Sequence, residues 1–275
     1  MIRAASHGNL GALDRNLGAV GFDLDYTLWD QGAFFATFFE AAACDFGRRL
    51  GCGRRRFQEV CAGALERLTP AHPALFDRIL HQLGAWDPRL VMELVDRFHR
   101  HRPPAEPYPG VAQVLGQLRE AGLRLFLVTD GHPEVQRHKL AALGLGAWFD
   151  PAVFTLELPG RPAKPSPAPF RAVCVRMEVA PERCLYVGDN PACDFQGARD
   201  LGMLTAQVPT GPFAGRDAPE DCRAHLRLDS LAQLAGLLAA DVVSRLRRDT
   251  TWGSREGVER ALRAEGPPSS AEVAS

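Results

Sequence analysis

Lysine is nearly missing from this chain: of 32 basic residues only Lys139 and Lys164 are lysine, and the other 30 are arginine. Long hydrophobic runs are missing as well. No stretch approaches the roughly 18 uncharged apolar residues that cross a bilayer as a helix, so no membrane is expected as a partner. The opening segment, Met1 to Leu17, mixes Arg, His, Asn and Asp with short apolar pieces and lacks the apolar centre of a secretory signal. Seven cysteines are present, but none forms a Cys-x-x-Cys pair, and their odd number argues against a disulfide framework. The expectation is reduced, buried thiols in a cytoplasmic protein. An excess of one charge is lacking too. The 32 basic and 33 acidic residues leave a formal net charge of -1, and the isoelectric point is about 6.7. With no long basic run, nothing points to nucleic acid or an anionic membrane as the main partner.

What is present is an ordinary globular composition. The chain has 275 residues, 46% hydrophobic and 24% charged, enough to bury a sizeable core and too apolar for a disordered polymer. That length predicts one large domain or two modest ones.

Residues 17–28 read as a buried strand, with Val20, Phe22 and Leu24 in one apolar run that stops in a polar turn. A long helical stretch follows, from about Ala33 to His101, with apolar residues at helical spacing such as Phe34, Phe35, Phe38 and Phe39. Breaks at Gly51 to Gly53, Thr69 to Pro73 and Gly84 to Pro88 divide it into about four helices. The segment from Arg102 to Gly110 is rich in proline and reads as a hinge. From Val111 the pattern becomes helix and strand in alternation. Strands are predicted at 124–129, 152–155, 184–188 and 203–208, and helices at 111–121, 133–143, 167–177 and 191–201, with a last strand–helix pair near 226–238. Alternation of this kind predicts a doubly wound, parallel, Rossmann-like α/β sheet. Residues 1–30 and 105–245 are expected to form that core, 31–104 an inserted all-helical unit, and 249–275 a flexible tail.

In an open parallel sheet, ligands bind beyond the carboxyl ends of the strands. Those ends carry Asp23-Leu-Asp25-Tyr-Thr27, then Thr129-Asp130-Gly131, then Lys164, then Gly188-Asp189-Asn190 with Asp194 beyond. Asp and Gly are common in any turn after a strand, so none of these carries weight alone. Together they collect acids, a hydroxyl and a lysine on one rim. Such a cluster repels itself without a bound cation, and hard oxygen ligands suit Mg²⁺.

With these residues the chain resembles the haloacid dehalogenase superfamily, in particular its Mg²⁺-dependent phosphatase branch. All four superfamily motifs occur in order: Phe-Asp23-Leu-Asp25-Tyr-Thr27-Leu, Val-Thr129-Asp-Gly, Lys164-Pro, and Gly-Asp189-Asn-Pro-Ala-Cys-Asp194. The helical insertion is similar to the small cap of that superfamily. Tyr26 departs from the pattern, since many relatives have glycine there. The resemblance implies hydrolysis of a small phosphorylated metabolite through an aspartyl-phosphate. Asp23 is then the nucleophile, and Asp25 protonates the leaving alkoxide and deprotonates the hydrolytic water. Mg²⁺ is held by Asp23, the backbone carbonyl of Asp25 and Asp189, with Asp194 acting from nearby. Thr129 and the amides of Asp130 and Gly131 hold phosphate oxygens, helped by the start of the helix that opens at Pro133. Lys164 neutralises both the nucleophile and the phosphoryl group. In a chain that so rarely uses lysine, a compact ammonium at this position fits that task, whereas Lys139 receives no role. The protein is expected to act as a monomer or homodimer.

Other residues are candidates for substrate contact: Trp29, Asp30, Phe35 and His132, and with less weight the Arg54-Arg55-Arg56 run. For His132 an exposed loop position is the competing reading, and for the arginines a solvated surface. Cys193 reads as packing. Among rival activities a phosphomutase shares every motif. A metal-independent dehalogenase lacks an acid at the place of Asp25, and a phosphoaccepting signalling receiver accepts phosphate after its third strand and has no cap.

Overall fold

Apolar runs bounded by polar turns become the strands of one sheet. In the computed structural model, which describes residues 17–68, 72, 74–216 and 218–236, β1 (Ala19–Phe22) is followed by four helices. These are α1 (Gln31–Arg49), α2 (Gly53–Arg67), α3 (Leu75–Gln82) and α4 (Pro88–Arg100). Then come α5 (Val111–Glu120), β2 (Arg124–Thr129), α6 (Pro133–Ala142), β3 (Ala152–Phe154) and α7 (Ala168–Met177). The chain continues through β4 (Cys184–Gly188), α8 (Pro191–Asp194), α9 (Gln196–Asp200), β5 (Leu204–Gln207) and β6 (Leu226–Arg227). The tail expected at 249–275 lies outside the described residues.

The six strands lie in the order β3-β2-β1-β4-β5-β6 and every neighbouring pair is parallel. β1 and β4 are buried at every position, which is why both read as unbroken apolar runs rather than alternating ones. Gly21 sits in β1 because a Cβ there would lie 1.9 Å from the ring of Phe126 on the adjacent strand. The strands that follow β1 in sequence lie to one side of it until β4, which pairs with its other edge. The crevice above the carboxyl ends of β1, β2 and β4 is therefore the switch point where a ligand is expected.

The predicted strand over residues 17–28 is shorter than expected. After Phe22 the chain leaves the sheet, Tyr26 takes a left-handed φ of 60°, and the amide of Leu28 donates to the carbonyl of Leu24 at 3.0 Å. The predicted helix over 191–201 is two short helices that meet at Phe195, a residue with no exposed surface. Gly197 in the second presses on the Pro165 carbonyl, where a Cβ would come within 2.0 Å. The turn that carries Lys164 thus fits closely against α9.

The four inserted helices follow the expected breaks. Asp30 caps α1 by accepting from the Gly32 amide at 2.8 Å, and Asp87 caps α4 from Arg89 at 2.7 Å with Pro88 in the first turn. Phe98 of α4 packs its ring against Phe34, Phe35 and Phe38 of α1, at centroid distances of 5.3, 5.4 and 5.4 Å. Most of the phenylalanine group is therefore core of this helical unit. The two connections to the sheet touch each other. Trp29 forms a bridge with Pro107, and the Tyr108 amide donates to the Leu28 carbonyl at 2.8 Å. No helix among the described residues is long and apolar enough to cross a membrane.

Candidate active site

The expected rim residues converge. Lys164, on the loop between β3 and α7, places its Nζ 2.6 Å from Asp23 Oδ1 and 2.7 Å from Asp194 Oδ1. Its third neighbour is the Tyr186 hydroxyl at 3.3 Å, which donates its own proton to the Val128 carbonyl at 2.8 Å and so turns a lone pair toward the ammonium. Asp23, Thr129, Lys164, Asp189 and Asp194 are all buried.

Local sequence explains each placement. Asp23 follows β1 directly and its amide still donates to Val187 of β4 at 2.9 Å. Asp189 follows β4, and its backbone carbonyl accepts from Gln207 Nε2 at 3.0 Å. Asp194 Oδ2 accepts from the Asn190 amide at 2.9 Å, and a Cβ on Gly188 would lie 2.4 Å from that oxygen, so this approach requires glycine. Asp130 directs Oδ1 at the Thr155 hydroxyl (2.8 Å) and the Lys164 amide (3.2 Å), tying the loop after β2 to the loop of the lysine. Gly131 has φ 102°, a conformation that side chains resist.

Three acids face one another with little to balance them. Carboxylate oxygens of Asp23, Asp189 and Asp194 lie within 4.8 Å of one another. Burial pushes the Asp23 carboxyl up to about 7, against the pull of Lys164 and with the push of Asp194 and Asp25. Burial pushes Asp189 up to about 9, reinforced by Asp194 and Asp23. Burial lowers Lys164, yet Asp194 and Asp23 outweigh it and hold the ammonium well above its ordinary range. Three carboxylates and one ammonium, all ionised, leave two negative charges. One divalent cation restores neutrality.

The donor set fits a hard cation. Asp189 Oδ2 is buried and has no hydrogen-bond partner, and the Thr27 hydroxyl stands 3.4 Å from both Asp23 Oδ2 and Asp189 Oδ1. Oxygen ligands, one of them a carboxylate atom with no other partner, suit Mg²⁺. Gly211, with φ 67°, closes this side, since a Cβ there would come within 2.8 Å of Asp189 Oδ2.

A cavity of about 270 Å³ opens above these residues, lined by Asp23, Asp25, Thr129, Lys164 and Asp189 below. Phe35 and Phe98 of the helical unit line it as well, together with Tyr26, His132 and Phe213. Phe35 and His132 are thus brought to the cavity. His132 also stacks on His99 of α4, with centroids 4.1 Å apart. Trp29 does not line this cavity. It is buried, and its indole Nε1 donates to Asp25 Oδ1 at 2.9 Å. Arg54 pairs with Glu40 and Arg55 with Glu59 on the exposed surface, away from the rim. Cys193 borders the cavity beside Asn190, whose Nδ2 lies 3.4 Å from its sulfur.

Sequence reasoning passed over three residues here: Tyr186, Gln136 and Lys139. Tyr186 carries no signal, being one aromatic in an apolar strand. Gln136 and Lys139 sit three apart on α6 and both reach Asp25, with Gln136 Nε2 at 2.9 Å and Lys139 Nζ at 2.8 and 2.9 Å. For Lys139 the signal was its rarity. Each of the two lysines in the chain pairs with one aspartate of the first motif.

Known proteins agree with this geometry. Residues 17–202 match the family of haloacid dehalogenase-like hydrolases. The glyceraldehyde 3-phosphate phosphatase of Methanopyrus kandleri is 36% identical over 169 residues, covering 61% of this chain and 70% of that protein. The phosphoserine phosphatase of Thermus thermophilus is 35% identical over 142 residues, 52% of this chain and 56% of that one. The crystal structure of a 2-haloacid dehalogenase from Pseudomonas syringae pv. Tomato is similar at 28% identity and a TM-score of 0.56, covering 82% of this chain and 99% of that one. With the four motifs gathered on one rim and the match running through all of them, the chain belongs to the haloacid dehalogenase-like hydrolases.

Proposed function

We propose that this protein is a Mg²⁺-dependent phosphatase that hydrolyses small phosphate monoesters through a phosphoaspartate at Asp23. The observation that carries the reading is the 2.6 Å contact of Asp23 with Lys164 beneath a cavity that also receives a second acid, Asp25. Phosphatases among the relatives support the reaction class, and the named substrates of those relatives are the first esters to test.

Asp23 attacks phosphorus, forming an O–P bond as the bond to the leaving oxygen breaks. Asp25 gives that oxygen its proton, then takes one from the water that attacks the phosphoaspartate and releases inorganic phosphate. Lys164 neutralises Asp23 and the transferring group, while the Thr129 hydroxyl and the Asp130 and Gly131 amides hold its oxygens. Asp23, Asp189 and the Asp25 carbonyl would hold Mg²⁺, which would supply charge neutralisation at the phosphoryl oxygens. Asp194 grips Lys164. The 2-haloacid dehalogenase from Pseudomonas syringae shares the fold, but displacement at carbon needs neither an acid at position 25 nor a surplus of negative charge.

Residues 31–104 act as a cap on a core formed by 1–30 and 105–245, closing over the cavity through the paired connections at Trp29 and Pro107. Of the seven free thiols only Cys61, Cys174 and Cys184 are buried, fewer than expected, and free thiols fit a reducing, cytoplasmic location. The test is a screen of phosphorylated metabolites with and without Mg²⁺, reading released phosphate. Asp23→Asn serves as the control. Sugar-phosphate interconversion with a bisphosphate activator separates a phosphomutase from a hydrolase.

A further inference from the structure

The carboxylate of Asp25 accepts four hydrogen bonds. Lys139 Nζ reaches both oxygens, at 2.8 Å to Oδ1 and 2.9 Å to Oδ2. Trp29 Nε1 donates to Oδ1 at 2.9 Å and Gln136 Nε2 to Oδ2 at 2.9 Å. An ionised carboxylate offers about four lone-pair sites, so these donors hold the group in one orientation, and one of them gives up its site when Asp25 takes up the proton that it passes to the leaving oxygen. Three of the four bonds come from α6, where positions 136 and 139 share a face. Both side chains are closed off from solvent, Gln136 at 1% exposure and Lys139 at 4%. The Lys139 ammonium also stands 5.5 Å from the ring centroid of Trp29 and 5.3 Å from that of Phe34.

Gln136 does a second thing. The same Nε2 lies 2.7 Å from Thr129 Oγ1, and a primary amide has two hydrogens, so it can serve Asp25 and Thr129 together. The threonine oxygen then acts as acceptor toward Gln136 and keeps its own hydrogen, which lies toward the Asp130 carbonyl at a long 3.3 Å, for a phosphoryl oxygen.

A buried ion pair by itself is a poor way to stabilise a helix, since desolvation offsets much of the attraction. This one clasps both oxygens of the one carboxylate that must meet two different partners in turn, the leaving oxygen and then water. Misplacing such a group by about 1 Å costs about 100-fold in rate. We propose that Lys139, together with Gln136, is the positioning residue of Asp25, fixing its carboxylate for proton transfer without touching the ester. This rests on the phosphatase reading.

The experiment uses Lys139→Met and Gln136→Met on the full chain with two probes, 4-nitrophenyl phosphate and an alkyl phosphate that the wild type hydrolyses. Nitrophenolate leaves without a proton, whereas an alkoxide needs one. The expected result is a loss of about 100-fold in kcat on the alkyl ester with KM within about twofold of wild type. On the nitrophenyl ester, rapid mixing should show a burst of nitrophenolate, because the first step survives while hydrolysis of the phosphoaspartate slows. Equal losses on both esters without a burst, or no loss at all, would overturn the positioning role. Should Lys139→Met fail to fold, Gln136→Met decides by the same pattern. A wild type that releases phosphate from neither ester overturns the phosphatase reading itself, which is a different result from an active wild type with indifferent variants.

Discussion

Lys164 Nζ and Asp194 Oδ1 lie 2.7 Å apart with side chains only 3% and 2% exposed. Asp194 also fixes the Asn190 amide, so both of its oxygens are spoken for within the protein. Removing Asp194 leaves Lys164, in a dry interior, with Asp23 as its one remaining carboxylate partner and takes the acceptor from the Asn190 amide. Asp194→Ala should therefore destabilise the fold by about 3 kcal/mol, measured by denaturant unfolding. A change below about 1 kcal/mol would contradict the clamp described here. Catalysis should fall as well, by about 10–100-fold, because Lys164 loses its second support.

Asp23 and Asp189 give the opposite stability result. Each is a buried acid whose carboxyl is pushed up, to about 7 and about 9, from an ordinary value of 3.8. Between those values the folded protein binds more protons than the unfolded chain, so metal-free stability should fall as pH rises from about 4 toward 9. Mg²⁺ needs the ionised carboxylates, so the rise in Tm it produces should be larger at pH 8 than at pH 5.5. Thermal melts with EDTA or Mg²⁺ across this range check both signs. A metal-free Tm that climbs with pH would place the charge elsewhere.

Asp23→Asn removes the nucleophile and a buried charge together. Turnover should drop to background while the metal-free Tm is held or raised. Retention of about a tenth of wild-type kcat would remove Asp23 from the nucleophile role.

Asp189→Asn leaves the shape of the site and takes away one charged oxygen. The Mg²⁺ concentration needed for half-maximal activity should rise, and the Mg²⁺-induced rise in Tm should shrink. An unchanged titration by both measures would move the metal site away from Asp189.

Substrate choice is expected to lie with the helical unit. Among the described residues lining the cavity, both lysines are already paired with aspartates, while Phe35, Phe98 and Phe213 present apolar faces. Esters whose organic part is uncharged should be preferred over phosphoserine by about tenfold or more in kcat/KM. Phe35→Leu and Phe98→Leu should reorder a panel of esters, whereas Lys164→Ala should depress all of them alike. A ranking indifferent to both phenylalanines would assign specificity to the core loops.

Local chemistry settled much of this protein in advance. Apolar runs at 124–129 and 184–188 read as buried strands, and the glycine and proline breaks divide the inserted block into its four helices. The acids after β1 and β4, Thr129 and Lys164 were legible because each follows a strand end, and strand ends in a parallel sheet meet at one rim. Tyr26, the residue that departs from the motif pattern, adopts a left-handed φ of 60°, a conformation that favours glycine. Folding alone decided what spans long sequence distances. Lys139 reaches Asp25 from 114 positions away, and Tyr186 meets Lys164 only because β4 runs beneath the loop that carries it. Trp29, a candidate for substrate contact, instead turns its indole to Asp25 while its backbone bridges to Pro107. Periodicity reports which face of an element is buried. Which charged groups then share that burial depends on the register and crossing of elements, and only the folded chain brings those together.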